Sequence, residues 1–383
     1  MARPRSALWC DLRGDGYPEL LIASHGGPIR LFENRKGHLE EATAQWGLDR
    51  WRGLWTSLVA ADLDGNGHLD LVAGNLGTNT RWQASREKPL RWYFGDPLHR
   101  GRKTLLEVTY HLDGVPGLSL SRNRLAAELP YVRDLASNHR SHAKMSVEDV
   151  LSIHPDAWEV LEANTLDSMV FLNDGEGSLR AEALPHAVQR APVSGLQAAD
   201  FNGDGHIDLI VGQDAFQVIE NGVPPAQGGV VFLKGSLGGG FTILNPEATG
   251  IGAECQARSV ALGDFNGDRK MDLVLTSPGR TTRLFLNQLT EAEAIGIRTR
   301  GMGANPWGVG CQLHFIDQQG ALLAAHAMAG GGSGWQSQND PLVLFPHSLK
   351  AHRIRVQWPG GAMRSYALDP SQTFVLIAQE DGF

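Results

Sequence analysis

The stretch VAADLDGNGHLDLVAGN, residues 59–75, decides how the chain is read. An apolar run enters, an Asp- and Gly-rich nonapeptide follows, and a second apolar run leaves. Asp62, Asp64, Asn66 and Asp70 hold positions 1, 3, 5 and 9 of the nonapeptide. A tightly coiled backbone brings their oxygens around one point. Glycines at positions 4 and 6 permit that coil, because such turns need positive φ or close approach. Position 7, His68, adds a main-chain carbonyl. Hard oxygens in a flexible loop select calcium over transition metals, and magnesium demands a stricter octahedron. An EF-hand needs a Glu at position 12 and an exiting helix. Position 12 is Ile22, Ala73, Val211 or Leu275 in the four occurrences of the pattern, each inside an apolar run. A strand is therefore expected after each loop.

The pattern recurs as QAADFNGDGHIDLIVGQ at 197–213, ALGDFNGDRKMDLVLTS at 261–277 and WCDLRGDGYPELLIAS at 9–24. The loop with Asp200, Asn202, Asp204, His206 and Asp208 is complete. The loop with Asp264, Asn266, Asp268, Lys270 and Asp272 keeps its ligands but carries Arg269 at position 6, which predicts weaker binding. The first loop offers Asp11, Asp15 and Glu19, with Arg13 at position 3, where a cation opposes metal binding. A further strand-like segment follows: IRLFEN at 29–34, VFLNDG at 170–175, VVFLKG at 230–235 and RLFLNQ at 283–288. Short strands joined by turns and repeated in this way predict an all-β fold, a β-propeller with one unit per blade.

Asp62 and Asp200 lie 138 residues apart, against 64 for Asp200 and Asp264. The longer interval is expected to hide a degenerate unit and an insertion. YFGDPLHRGRKTLLEVTY at 93–110 reads as a decayed nonapeptide, hence a blade without metal. The insertion, at about 119–160, has Leu125, Leu129, Val132 and Leu135 at helical spacing and Ser146 followed by Asp149 as a helix start, so two short helices are expected. Its histidines, His139, His142 and His154, have no metal-ligand spacing and read as surface residues. The propeller is thus expected over residues 1–288, with about five blades. Residues 291–383 contain no nonapeptide and read as a separate small β domain.

Glycine makes up 46 of 383 residues, about 12% against an average of about 7%, as a turn-rich chain requires. The formal net charge is -8. This argues against nucleic acid or an anionic membrane surface as partner, since both reward Lys and Arg clusters. Twelve of the 42 acidic residues fall in the four nonapeptides, so the acidity reads largely as a metal-site property. Cys10, Cys255 and Cys311 form no CxxC and read as free apolar residues, though one bridge stays open. No apolar run approaches the roughly 20 residues of a membrane helix, and the start of the chain does not read as a signal peptide.

These residues resemble FG-GAP/VCBS repeats, the calcium-loop blades also found in integrin α propellers. NPWGVGCQLHF at 305–315, AGGGSGWQSQND at 329–340 and IRVQWPGG at 354–361 make the C-terminal part similar to an ASPIC/UnbV domain. Together they resemble the cartilage acidic protein-like family of bacterial type. The resemblance implies a calcium-binding protein that is extracellular, cell-surface or periplasmic, and supplies no catalytic residue. Family members begin further upstream, with a signal peptide and more blades, which implies a fragment or a start placed too late. The function expected is a non-enzymatic interaction or adhesion module stiffened by Ca2+, with an unknown protein or glycan ligand. The alternative is a carbohydrate-binding or polysaccharide-active propeller. Glu107, Asp113, Glu128 and Glu159 are its carboxylates, without catalytic spacing, and Trp51, Trp55, Trp82, Trp92 and Trp335 its loop tryptophans.

Overall fold

A computed structural model describes residues 3–110, 116–213, 228–252, 255–290, 293–327, 330–331, 337–369 and 371–379. The chain is mostly β, arranged in seven sheets among the described residues. Each nonapeptide does what its composition requires. It ends one strand, coils, and returns the chain antiparallel along that strand. Arg3–Cys10 pairs with Glu19–Pro28, Ser57–Ala61 with Asp70–Gly74, Val193–Ala199 with Asp208–Gln213 and Ser259–Gly263 with Asp272–Thr276. A third strand then adds to the second: Arg30–Arg35, Met169–Asn173, Val230–Ser236 and Arg283–Phe285 respectively. Three of the four sheets carry a fourth strand; the last has three.

The first strands of these sheets are neighbours in succession, Arg3–Cys10 beside Ser57–Ala61, then Val193–Ala199, then Ser259–Gly263. Apolar residues from adjacent sheets meet between them. Leu8, Leu21, Leu58, Leu71 and Phe171 share one cluster, and Val59, Val72, Val170, Leu196 and Leu209 share the next.

The long interval is organised differently from the expectation. The second sheet is split: Met169–Asn173 pairs with Asp70–Gly74 across about ninety intervening residues. The segment 93–110 belongs to a further four-stranded sheet, and that sheet is inserted within the second one. The segment forms its two middle strands, Leu90–Gly95 and Thr104–Tyr110, flanked by Pro116–Leu118 and Trp158–Ala163. That sheet packs through Trp158–Ala163 on the first sheet.

The helical part has four short helices rather than two: Arg122–Glu128, Val132–Leu135, His139–His142 and Val147–Leu151. Pro130 cannot donate to an uninterrupted helix and separates the first two. Leu125, Leu129 and Val132 are buried there, while Leu135 is exposed. Ser146 and Asp149 form the expected reciprocal cap. Cys10, Cys255 and Cys311 are all buried, and none forms a disulfide among the described residues. Among the described residues no helix is long and apolar enough to cross a membrane.

Residues 294–378 build the remaining two sheets around Ile297, Leu313, Phe315, Phe345, Val356 and Trp358. They cover the loop end of the other sheets. The backbone amide of Gly360 donates to Gly16 O at 2.8 Å, Gln357 Nε2 to Gly14 O at 2.8 Å and Ser348 Oγ to Gly203 O at 2.9 Å. The same segment also reaches the two outermost first strands. Gly330–Gly331 pairs with Leu8 and Trp9. Asp340 N donates to Leu262 O at 3.1 Å and Leu262 N to Asn339 Oδ1 at 3.0 Å. Asn339 Nδ2 in turn donates to the buried Gln197 Oε1 at 2.6 Å. The C-terminal part thus touches both ends of the succession.

Candidate metal centre

The four nonapeptides share one backbone frame, and the carboxylates build it. In the loop 62–70, Asp62 accepts from the amides of Gly65 (2.9 Å) and Gly67 (3.0 Å), one on each oxygen. Asp64 accepts from Asn66 N and Asn66 Oδ1 from His68 N. Gly65 and Gly67 have φ of 80° and 88°, the left-handed coil their positions call for. Asp70 closes the loop, accepting from Leu63 N at 2.8 Å and, across the sheet, from Asn173 N at 2.7 Å.

One carboxylate oxygen each from Asp62, Asp64 and Asp70 lies within 4.8 Å of the others. Among the described residues this is the group of acidic, His or Cys side chains that could hold a metal ion. Asp62 and Asp70 are buried, at 5% and 0% exposure. Burial pushes Asp62 up to about 6 and Asp70 up to about 7, with the neighbouring carboxylates adding to the effect and the loop amides opposing it. No Lys or Arg is paired with them among the described residues. A buried carboxylate cluster of this kind is costly unless neutralised, and the hard-oxygen set fits a hard cation.

The loop 200–208 repeats the frame. Asp200 accepts from Gly203 N and Gly205 N, both at 2.8 Å, and Asp208 from Phe201 N and Gly235 N. Burial raises Asp200, and raises Asp208 to about 7. Here Lys234 sits 3.0 Å from Asp204. Burial acts to raise Asp204, but the His206 amide and the Lys234 ammonium outweigh it and hold that carboxyl below its usual range.

In the loop 264–272, Asp264 accepts from Gly267, Asp268 and Arg269 amides, and Asp272 from Phe265 N and Asn287 N. Arg269 takes φ of 65° where the other loops have glycine. Lys270 N donates to Asp268 Oδ1 at 3.1 Å.

The loop 11–19 departs most. Asp11 accepts from Asp15 N and Gly16 N, and Glu19 Oε2 from Leu12 N at 2.9 Å. Arg13 supplies its own cation, 3.6 Å from Asp15 and 3.5 Å from Glu33. Glu19 is fully buried and its Oε1 has no hydrogen-bond partner. Burial, then Asp11, pushes Glu19 up to about 8. Gln312 from the C-terminal part donates to Asp11 O.

Sequence reasoning missed a set of asparagines at the end of the third strand. The pairings Leu20↔Phe32, Leu71↔Phe171 and Leu273↔Phe285 put Asn34, Asn173 and Asn287 at equivalent places. Asn34 donates to Pro18 O and Asn173 to Leu69 O, each at position 8 of its own loop. Asn173 also reaches Leu12 O, and Asn287 reaches Phe201 O, each at position 2 of a loop in another sheet. The signal was the recurring Phe-x-Asn of FEN, FLN and FLN. The third sheet has Gly235 at this place, where a Cβ would meet Ile207 O.

Of the four carboxylates named as catalytic candidates, Glu107 pairs with Arg81 and Glu128 with Arg102. Trp55 and Trp92 are buried, Trp82 stacks edge-on against Trp92, and Arg86 lies over Trp51. Asp113 and Trp335 lie outside the described residues.

Two segments of the chain match FG-GAP repeat models. Residues 11–73 match the FG-GAP-like repeat and residues 257–293 the FG-GAP repeat. Three of the four nonapeptides lie within these FG-GAP segments. No curated protein matches the chain. Among solved structures, a chain in the crystal structure of BBS1N in complex with ARL6DN, soaked with lead, is similar at 9% identity and a TM-score of 0.24, over 97% of this chain and 95% of that one. The exotype rhamnogalacturonan lyase YesX is similar at 11% identity and a TM-score of 0.26, over 99% of this chain and 74% of that one. TM-scores this low establish no common fold.

Proposed function

We propose that the chain is a non-enzymatic, extracellular interaction module whose FG-GAP loops bind calcium. The observation that carries the reading is the cluster of Asp62, Asp64 and Asp70, two of them buried, with oxygens converging and no protein cation paired with them among the described residues. Calcium there would neutralise carboxylates that otherwise repel, and would pin the turn between two strands. The loop 200–208 offers a second such frame and 264–272 a third. Loop 11–19, with Arg13 in place of a ligand, has the weakest claim.

The succession of first strands supports a propeller-like arrangement of blades, and the C-terminal sheets are read as an ASPIC/UnbV-like domain seated on the loop end. FG-GAP repeats are typical of extracellular proteins, which supports a partner met outside the cell, a protein or a glycan. The decisive experiment is thermal melting with chelator and with added calcium. A ligand bound by the native state alone stabilises by mass action, about 2.7 kcal/mol at a hundredfold excess over Kd. Chelation should lower Tm and calcium should restore it. An unchanged Tm would remove the calcium reading. Protein and glycan arrays, run with and without calcium, then identify the partner class.

A further inference from the structure

We infer that the cleft between the C-terminal sheets and the loops 11–19 and 62–70 binds a small organic carboxylate. The cleft is a cavity of about 310 Å³. That is near the lower end for small-molecule pockets, roughly 300–1,000 Å³, so the occupant is compact. Its walls come from two parts of the chain, and ligand sites favour such junctions. Arg13 and His68 line it from the FG-GAP loops, and His314 and Arg355 from the C-terminal strands Gln312–Ile316 and Arg353–Gln357.

The charge on these walls has one sign. The single carboxylate among the lining residues is Asp11, which is 2% exposed. Both of its oxygens already accept loop amides, from Asp15 and Gly16. Arg355 is exposed and has no carboxylate partner among the described residues. Arg13 leans on Asp15 and Glu33 at 3.6 and 3.5 Å, contacts long enough to leave guanidinium donors for a third acceptor. An arginine and a histidine from each of the two walls recognise an anion; a guanidinium fork suits a carboxylate in particular.

Leu322 and Met363 also line the cavity and are 40% and 53% exposed. They give the anion's carbon body an apolar seat, which a bare inorganic ion would not use. The occupant is therefore a carboxylate on a compact, partly apolar frame of about monosaccharide size. The inference stands on the cleft alone and does not depend on metal in the loops.

The test is calorimetric titration of the intact chain, in buffer without added calcium, with sodium glucuronate, glucose and inorganic phosphate as probes. Glucuronate should bind and glucose should not. Phosphate should bind more weakly than glucuronate. Arg355→Met should weaken glucuronate binding at least tenfold, and Arg13→Met, on the opposite wall, should weaken it independently. Arg353→Met, an exposed arginine of the same strand outside the cavity, should leave it unchanged. Melting curves confirm that each variant is folded. Glucose binding as well as glucuronate, phosphate binding more tightly, no glucuronate binding, or an Arg355→Met protein of undiminished affinity would each overturn the proposal.

Discussion

The loops 11–19 and 62–70 have the same frame and differ at position 3, a guanidinium in the first and a carboxylate in the second. Both coil a position-1 carboxylate over backbone amides, and both use a position-9 carboxylate to hold the amide of position 2. In 62–70 the carboxylates face one another with no protein cation paired with them among the described residues. In 11–19 Arg13 stands at position 3, 3.6 Å from Asp15, and a C-terminal glutamine donates to the loop backbone. The frame is therefore a folding device in its own right. Metal affinity would be a second property laid over it, and position 3 is one place where the ligand sets differ: Asp64 in 62–70, Asn202 and Asn266 in the next two loops, Arg13 in 11–19.

The largest expected difference lies at position 9. Asp70→Ala leaves the buried amides of Leu63 and Asn173 without acceptors, at about 1–3 kcal/mol each. Glu19→Ala frees only the Leu12 amide and removes an oxygen that had no partner, so its cost should be well below that of Asp70→Ala. Chemical denaturation of both variants, in chelator, checks the ranking. Equal costs would mean that the two loops bear load alike. Next comes calcium itself. Asp64→Ala should abolish most of the calcium-dependent rise in Tm attributable to this loop. Arg13→Asp should add a binding event by titration calorimetry, since it restores a carboxylate at position 3.

The pH response separates the same two loops. Folded Asp62, Asp70 and Glu19 hold their protons up to about 6, 7 and 8, whereas the unfolded chain releases them near 4. Between those values the native state binds more protons, so stability falls as pH rises from about 4 to about 8. Chelated protein should therefore melt lower at pH 8 than at pH 5. Calcium competes with the proton and should flatten the part that belongs to 62–70. Glu19→Gln should flatten the part that belongs to 11–19 whether or not calcium is present. A chelated protein whose Tm climbs with pH would contradict the burial argument.

The loops and their flanking strands were legible because their cause is local: Asp and Gly at fixed spacing, then an apolar run. The Ser146–Asp149 cap was legible for the same reason. What stayed hidden was non-local. Nothing near Asp70 announces that its sheet is completed by Met169–Asn173, and no residue around Leu8 announces a strand from Gly330–Gly331. Asn173 shows how close a signal can come. Its Phe-x-Asn motif recurs in the third strands, yet its role depends on Leu12, 161 residues away.

The smallest effect distinguishes a loop that is merely strained from one that is electrostatically altered. Arg269 occupies the left-handed region at φ 65°, where Gly16, Gly67 and Gly205 stand in the other loops. A side chain there costs roughly 1–2 kcal/mol of backbone strain, offset in part because glycine gains entropy in the unfolded chain. Arg269→Gly should accordingly stabilise the metal-free protein by up to about 1 kcal/mol. It should also raise calcium affinity at 264–272, since the loop keeps Asp264, Asn266, Asp268 and Asp272 and loses a nearby cation. At Arg13 the outcome differs, because Arg13→Gly removes charge without supplying a ligand and should leave loop 11–19 unable to bind. If Arg269→Gly leaves both Tm and calcium affinity unchanged, position 6 exerts no control over the frame.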